Sequence, residues 1–323
     1  MIQENVAVTY SSLHIAHQSR LIDPCEVPSR AEGILKEIRS SFPGIPIIEP
    51  AIVEQPLVRQ IHLPAMIDQL AVASQGPRNE PAFTRFVHDK TNSTPIWEGT
   101  YQSALASVSC SLSAAQLVVD GEASRTYSIN RPPGHHAGYD FYHGFSFMNN
   151  AMITAKMLEQ QSASVAVFDF DFHHGNGTQN LVNQHGGVSY VSTHGDPSFN
   201  FPFTGESTDR GYGKGVGLIN NYPYEAGASV KTLRTVIGHA TDRLATINPD
   251  VLVVSAGFDA HKTDHPPGIP SPTEADSSFF EDVAAKIGAL GIPTIVVLEG
   301  GYGDHLPESF MAFFKTLNKY DIK

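Results

Sequence analysis

Val165 to Phe168 is apolar at successive positions without alternation, and Val251 to Ala256 reads in the same way. A strand that is apolar on both faces belongs inside a parallel sheet covered on each side. Further strands are predicted at Val6 to Thr9, Arg125 to Ile129, Val188 to Thr193 and Thr294 to Leu298. Between them the apolar spacing becomes helical. Helices are expected from Pro28 to about Ile38, over most of Val53 to Ser74 with a break near Pro64, and from Trp97 to about Val119. Others are expected at Met148 to Gln160, Asn176 to Asn183, Ser229 to Ile247, Thr273 to Leu290 and Leu306 to about Asn318. Ser29 as N-cap, with Glu32 three residues later, would make a capping box at the first of them. Gln75 to Pro95 is polar and reads as a long surface loop. The alternation predicts an α/β fold, a central parallel sheet flanked by helices on both faces.

The predicted strands end in reactive side chains. Residues two apart on a strand share a face, so Asp169, Asp171 and His173 line up where the strand runs into Gly175. A carboxylate beside an imidazole at that tip suits a divalent metal, with Asp169 one step further in as an orienting group. Unpaired acids in apolar surroundings cost several kcal/mol, roughly, which weighs against plain turn capping. The strand from Val251 ends in Gly257-Phe258-Asp259 and offers a third ligand. Arg131-Pro132-Pro133-Gly134-His135-His136 forms a stiff loop with adjacent histidines, and the last strand ends in Glu299-Gly300-Gly301-Tyr302. Open α/β sheets place their sites at the C-terminal edge, where all four tips fall. The aromatic loop Ser198 to Gly205 could wall a pocket. Gly211 to Gly217 lacks the spacing of a phosphate loop. His62, His143, His174, His185, His194, His239, His261 and His305 read as structural or exposed.

With 323 residues and 41% apolar content, and no linker in sight, residues 1–323 read as one domain. A net charge of -12 argues against nucleic acid, which needs a basic stripe, and suits a cationic small molecule or basic peptide. No apolar run is read as a membrane span, and Met1 to Tyr10 does not resemble a signal peptide, so a cytoplasmic protein is expected. Cys25 and Cys110 form neither a disulfide framework nor a metal spacing.

The motifs Arg-Pro-Pro-Gly-His-His-Ala, Asp-Phe-Asp-Phe-His-His-Gly-Asn-Gly-Thr, Ser-Ala-Gly-Phe-Asp-Ala and Glu-Gly-Gly-Tyr occur in this order from Arg131 to Tyr302. They closely resemble the zinc-dependent deacetylases, which include histone deacetylases and acetylpolyamine amidohydrolases. The resemblance runs from roughly Arg30 to the C-terminus and implies the arginase/deacetylase fold. It implies a catalytic Zn2+ on Asp171, His173 and Asp259, tandem histidines His135 and His136, and a catalytic Tyr302. It also implies a structural K+ near Asp169, Asp171, His173, Ser192 and Thr193. Gly144, Phe145 and Phe201 match the wall of a substrate tunnel. His136 is then the candidate general base, oriented by Asn176, with His135 paired to Asp169.

The segments Glu26 to Glu32 and Trp97 to Leu105 look more like acetylpolyamine amidohydrolases than histone deacetylases. Pro24-Cys25-Glu26 is similar to a loop that narrows the tunnel in animal polyamine deacetylases. His265-Pro266-Pro267 stands where those animal enzymes carry an acidic gatekeeper. Recognition of a second ammonium therefore falls to the Gln75 to Pro95 loop or to the partner in a homodimer. The expected activity is removal of an acetyl group from a small cationic acetylated amine. The alternatives are an acetyl-lysine protein deacetylase and a silent binder of acylated amines. Binuclear ureohydrolase chemistry would need more carboxylates than Ala260, His261 and Lys262 supply.

Overall fold

The computed structural model describes residues 5–18, 25–52, 56–76, 80–82, 84–87, 94–264 and 271–322. Pro24, His265, Pro266, Pro267 and parts of the Gln75 to Pro95 loop, singled out above, lie outside them.

Eight parallel strands form one sheet among the described residues: β1 Val6–Thr9, β2 Ile47–Ile48, β3 Arg125–Ser128, β4 Val165–Asp169, β5 Val188–Gly195, β6 Ile219–Tyr224, β7 Val251–Ala256 and β8 Thr294–Leu298. Their spatial order is β2-β1-β3-β8-β7-β4-β5-β6. The helices are α1 Ser29–Ser41, α2 Pro56–Ile61, α3 Pro64–Ala73, α4 Thr100–Val119, α5 Asn150–Gln160, α6 Asn176–His185, α7 Val230–Ile247, α8 Ser277–Leu290 and α9 Leu306–Leu317.

The unbroken apolar runs have the meaning assigned to them, because alternate residues feed opposite layers. Ala166, Phe168, Leu252, Val254, Val296 and Leu298 pack beneath α1, α7, α8 and α9. Val165, Val167, Val253, Ile295 and Val297 face α2 to α6. Phe258, Phe280, Phe310, Phe313 and Phe314 are fully buried in the first layer, each contributing roughly 1.5–3 kcal/mol by the area withdrawn from water.

The expectations differ from the fold at its edges. Pro28, in αR conformation, is the N-cap of α1 and makes no side-chain cap, so Ser29 is already helical and the capping box does not form. Helix α8 starts at Ser277, capped by Asp276, because Thr273 pairs instead with Ala228. β2 and β6 were hidden by their composition: one has two residues, and the other carries Asn220, Asn221 and Pro223 on an edge where one side meets solvent. Ser12–Ala16 adds a short 3-10 helix. At 20 residues α4 is long and apolar enough to cross a membrane, contrary to the reading above, yet 61% of that window is buried within the fold.

Candidate active site

The sheet order, rather than the chain order, assembles the site. β3, β8, β7 and β4 are neighbours, so their C-terminal tips bring the loop of His135 and His136, the Glu299–Tyr302 turn, Asp259, and Asp171 with His173 to one place. Register reinforces this: Asp169 lies opposite Ser255 on β7 and Ser192 on β5.

Asp171, His173 and Asp259 offer ligand atoms all within 4.8 Å of one another. His173 Nδ1 lies 2.9 Å from Asp259 Oδ2 and 3.3 Å from Asp171 Oδ1, so one imidazole nitrogen faces two carboxylates. Backbone N–H groups hold the acids in place. His173 and Gly300 donate to the two oxygens of Asp171 at 2.8 Å each, and Phe172 donates to Asp259 at 2.9 Å. The cradle has no spare room: a Cβ on Gly257 would stand 2.0 Å from Asp171 Oδ2, and one on Gly300 2.4 Å from Asp259 Oδ2. Burial opposes a charge on His173, but Asp259 and Asp171 outweigh it and raise the imidazole to about 10. Burial and the neighbouring Asp171 push Asp259 up to about 6. Two desolvated carboxylates that compete for one proton make a donor set fitted to a divalent cation.

The tandem histidines have different partners. His135 Nδ1 lies 3.1 Å from Asp169 Oδ2, which also accepts the Tyr190 hydroxyl at 3.0 Å. Against the effect of burial, Asp171 and Asp169 raise His135 to about 10. His136 Nδ1 lies 2.7 Å from the amide oxygen of Asn176, which carries no charge. Burial, together with His135 and His173, pushes His136 well below the usual imidazole range, so it is neutral. Burial raises the Tyr302 phenol well above its usual range, against the pull of Arg30, and keeps it protonated.

Several residues with no assigned role in the sequence reading hold this arrangement. Glu299 accepts from the amides of Gly134 at 2.7 Å and His135 at 3.1 Å and from the Ser255 hydroxyl at 3.1 Å, tying three strand tips together. Its carboxyl is raised to about 7 by burial. Arg30 donates to the carbonyls of Gly301 at 2.6 Å and Glu299 at 2.5 Å, and its guanidinium lies 4.6 Å from the Tyr302 ring centre. Buried Glu26 pairs with Arg30 at 3.1 Å and Arg131 at 2.8 Å. Asp264 accepts from the Tyr302 amide at 2.7 Å and meets His305 at 2.6 Å. The lone signal in the sequence was the presence of charged residues among apolar ones.

A cavity of about 1010 Å³ reaches this site, lined by His173, Asp259 and Tyr302 and by the aromatic rings of Phe145, Phe172 and Phe199. Cys25 and Asp264 also line it. Phe201 packs edge-on to His136 at 5.2 Å and near His173 at 5.9 Å, and Gly144 lies so close that a Cβ would be 2.3 Å from the His136 ring. Ser192 and Thr193 are buried on β5, where the Ser192 hydroxyl meets His194 Nδ1 at 2.8 Å. His143, read as structural or exposed, lies against Phe201 at 4.5 Å and close to Asn176, inside the site.

Residues 24–317 match the family model described as the histone deacetylase domain. This chain belongs to the histone deacetylase family. Acetylpolyamine amidohydrolase 1 of Pseudomonas aeruginosa is 34% identical, over 91% of this chain and 93% of the relative. The crystal structure of the acetylpolyamine aminohydrolase of Burkholderia pseudomallei superposes with a TM-score of 0.85 at 29% identity, covering 97% of this chain and 98% of that one. The HDA15 HD domain gives 0.86 at 25% identity, covering 99% and 90%. The fold is therefore the arginase/deacetylase fold, and the protein is a metal-dependent deacetylase, a hydrolase of linear amides.

Proposed function

We propose that this deacetylase removes the acetyl group from small acetylpolyamines, with Zn2+ held by Asp171, His173 and Asp259. The observation that carries the reading is the junction of that ligand triad with a neutral His136 and a protonated Tyr302, beside an aromatic-lined cavity that His173, Asp259 and Tyr302 line. Relatives that cover nine-tenths of the chain and are named acetylpolyamine amidohydrolases support the substrate class, as does the net charge of -12. We take residues 1–323 as one catalytic unit working in the cytoplasm, with neither nucleic acid nor membrane as partner. Structural K+ is assigned to Asp169, Asp171, His173, Ser192 and Thr193.

Bound zinc supplies a Lewis acid that polarises the amide carbonyl and makes water more acidic. The residues of the chain do the rest. Asn176 accepts from Nδ1–H of His136, leaving Nε2 free to take the proton of the attacking water and return it to the departing amine. Tyr302 donates its hydroxyl hydrogen to the oxygen that gains negative charge, and Arg30 and Asp264 hold its backbone. His135, held cationic by Asp171 and Asp169, stabilises that charge from the side. Gly144, Phe145 and Phe201 enclose the acyl-amine stem and exclude water. The far ammonium meets the Gln75 to Pro95 segment, whose Thr94 hydroxyl accepts from the Phe145 amide at 3.2 Å, or the partner of a homodimer.

The likeness to the HDA15 HD domain favours acetyl-lysine proteins as the second reading. One series separates the two: kcat/KM of the zinc-loaded protein on acetylputrescine, acetylcadaverine and acetylspermidine against an acetyl-lysine peptide. A polyamine preference of about tenfold corresponds to about 1.4 kcal/mol of differential transition-state binding and supports the proposal. A peptide preference refutes it, and no turnover of any substrate would favour a silent binder.

A further inference from the structure

His143 belongs to none of the four strand tips and sits in the tight turn after the tandem histidines. Gly144 and Phe145 both take positive φ, 46° and 64°, and the Ser146 amide closes the turn on the His143 carbonyl at 2.8 Å. Two successive positive φ angles define the turn closely, so backbone geometry sets where the His143 ring stands. That ring packs on Phe201 at 4.5 Å and lies edge-on to His136 at 6.0 Å. Its Nδ1 is 3.3 Å from the amide nitrogen of Asn176, whose amide oxygen is 2.7 Å from His136 Nδ1.

An amide side chain has one accepting and one donating end, and a neutral imidazole has one nitrogen of each kind. With its oxygen toward His136, Asn176 accepts from Nδ1–H and leaves Nε2 with a lone pair. Turned over, the amide would donate to Nδ1 and force the proton onto Nε2, where a general base cannot carry it. A carboxylate at this position would have no such ambiguity, because both of its ends accept.

We propose that His143 selects the reactive tautomer of His136: its Nδ1 accepts the Asn176 N–H and so keeps the amide oxygen facing the catalytic ring. In this role Nδ1 of His143 carries no proton, and His143 is a positioning residue that does not touch the reacting atoms. The inference rests on the reading of His136 as general base.

A double-mutant cycle tests it, with zinc-loaded wild type, His143→Phe, Asn176→Asp and the double variant. Phenylalanine keeps the ring against Phe201 but offers no acceptor; His143→Leu serves if that variant folds poorly. In the wild-type background kcat should fall by about twofold, because removing the bias of one neutral hydrogen bond leaves the two amide orientations about equally populated, with KM changed less. Imidazole 15N NMR should show Nε2 of His136 gaining protonation. In the Asn176→Asp background the same substitution should cost much less. His143→Gln, which restores an acceptor beside the native Asn176, should recover kcat. Equal losses in both backgrounds, or unchanged His136 15N shifts in His143→Phe, would overturn the role of His143. Full turnover by His136→Ala would instead overturn the general-base reading.

Discussion

Replacing Gly257 by alanine should abolish tight metal binding without altering a single ligand. The added Cβ would lie 2.0 Å from Asp171 Oδ2, 2.4 Å from its Cγ and 2.6 Å from its Cα. Heavy atoms of this kind do not approach closer than about 3 Å, so the carboxylate or the backbone of β7 must retreat by roughly 1 Å. Neither can do so freely. Asp171 is fastened by the amides of His173 and Gly300 at 2.8 Å, and β7 is paired on both sides, with β4 and β8. Metal ligands tolerate displacements of about 0.2 Å, so a shift several times larger should remove most of the contribution of Asp171. We expect zinc affinity to fall at least 100-fold, about 2.7 kcal/mol, and kcat/KM to fall with it at limiting metal. Competition titration against a chromogenic chelator measures the affinity, and far-UV circular dichroism checks that the variant is folded. A folded Gly257→Ala protein that binds zinc within threefold of wild type would refute the steric argument.

Tyr302→Phe should lower kcat by about 10²–10³ while zinc affinity stays within twofold, because in the proposed mechanism the phenol donates to the reaction without holding the ion. Single-turnover kinetics and the same titration check both halves. Glu299→Ala should destabilise the fold by about 3 kcal/mol or more, since it strands the buried amides of Gly134 and His135 and the Ser255 hydroxyl, and urea unfolding measures the loss. His62 is fully buried, bonded to the Gly138 carbonyl at 2.7 Å and the Asn149 amide at 3.0 Å, and burial lowers it to about 4. The unfolded chain therefore binds a proton below pH 6.5 that the folded chain refuses until about pH 4. The stability it contributes is intact above pH 6.5 and declines on acidification, by about 3 kcal/mol at pH 4. His62→Gln keeps a donor and an acceptor and should flatten that slope; an unchanged slope in urea midpoints between pH 6.5 and 4 would count against the assignment.

The strand interiors and the residues at their tips were legible because burial on both faces and the period of two leave a direct mark on the order of residues. Val165 to Phe168 and Val251 to Ala256 could be read as central strands from local pattern alone, and the same pattern proposed Asp171, His173 and Asp259 as ligands, whose ligand atoms the fold brings within 4.8 Å of one another. The edge strands could not: Ile219–Tyr224 meets solvent on one side, so its asparagines and proline hide it. The roles proposed for His135, His136 and Tyr302 came from the resemblance of the motifs to the deacetylases, before any geometry was known. Tertiary structure decided what depends on distance between strands. The order β3-β8-β7-β4 makes neighbours of tips far apart in the chain, and no local pattern specifies it. Glu299 and His143 took their places for the same reason. Each acts through a group 30 or more residues away, Glu299 on the Gly134 amide and His143 on the Asn176 amide, and a contact at that separation exists only once the sheet has closed.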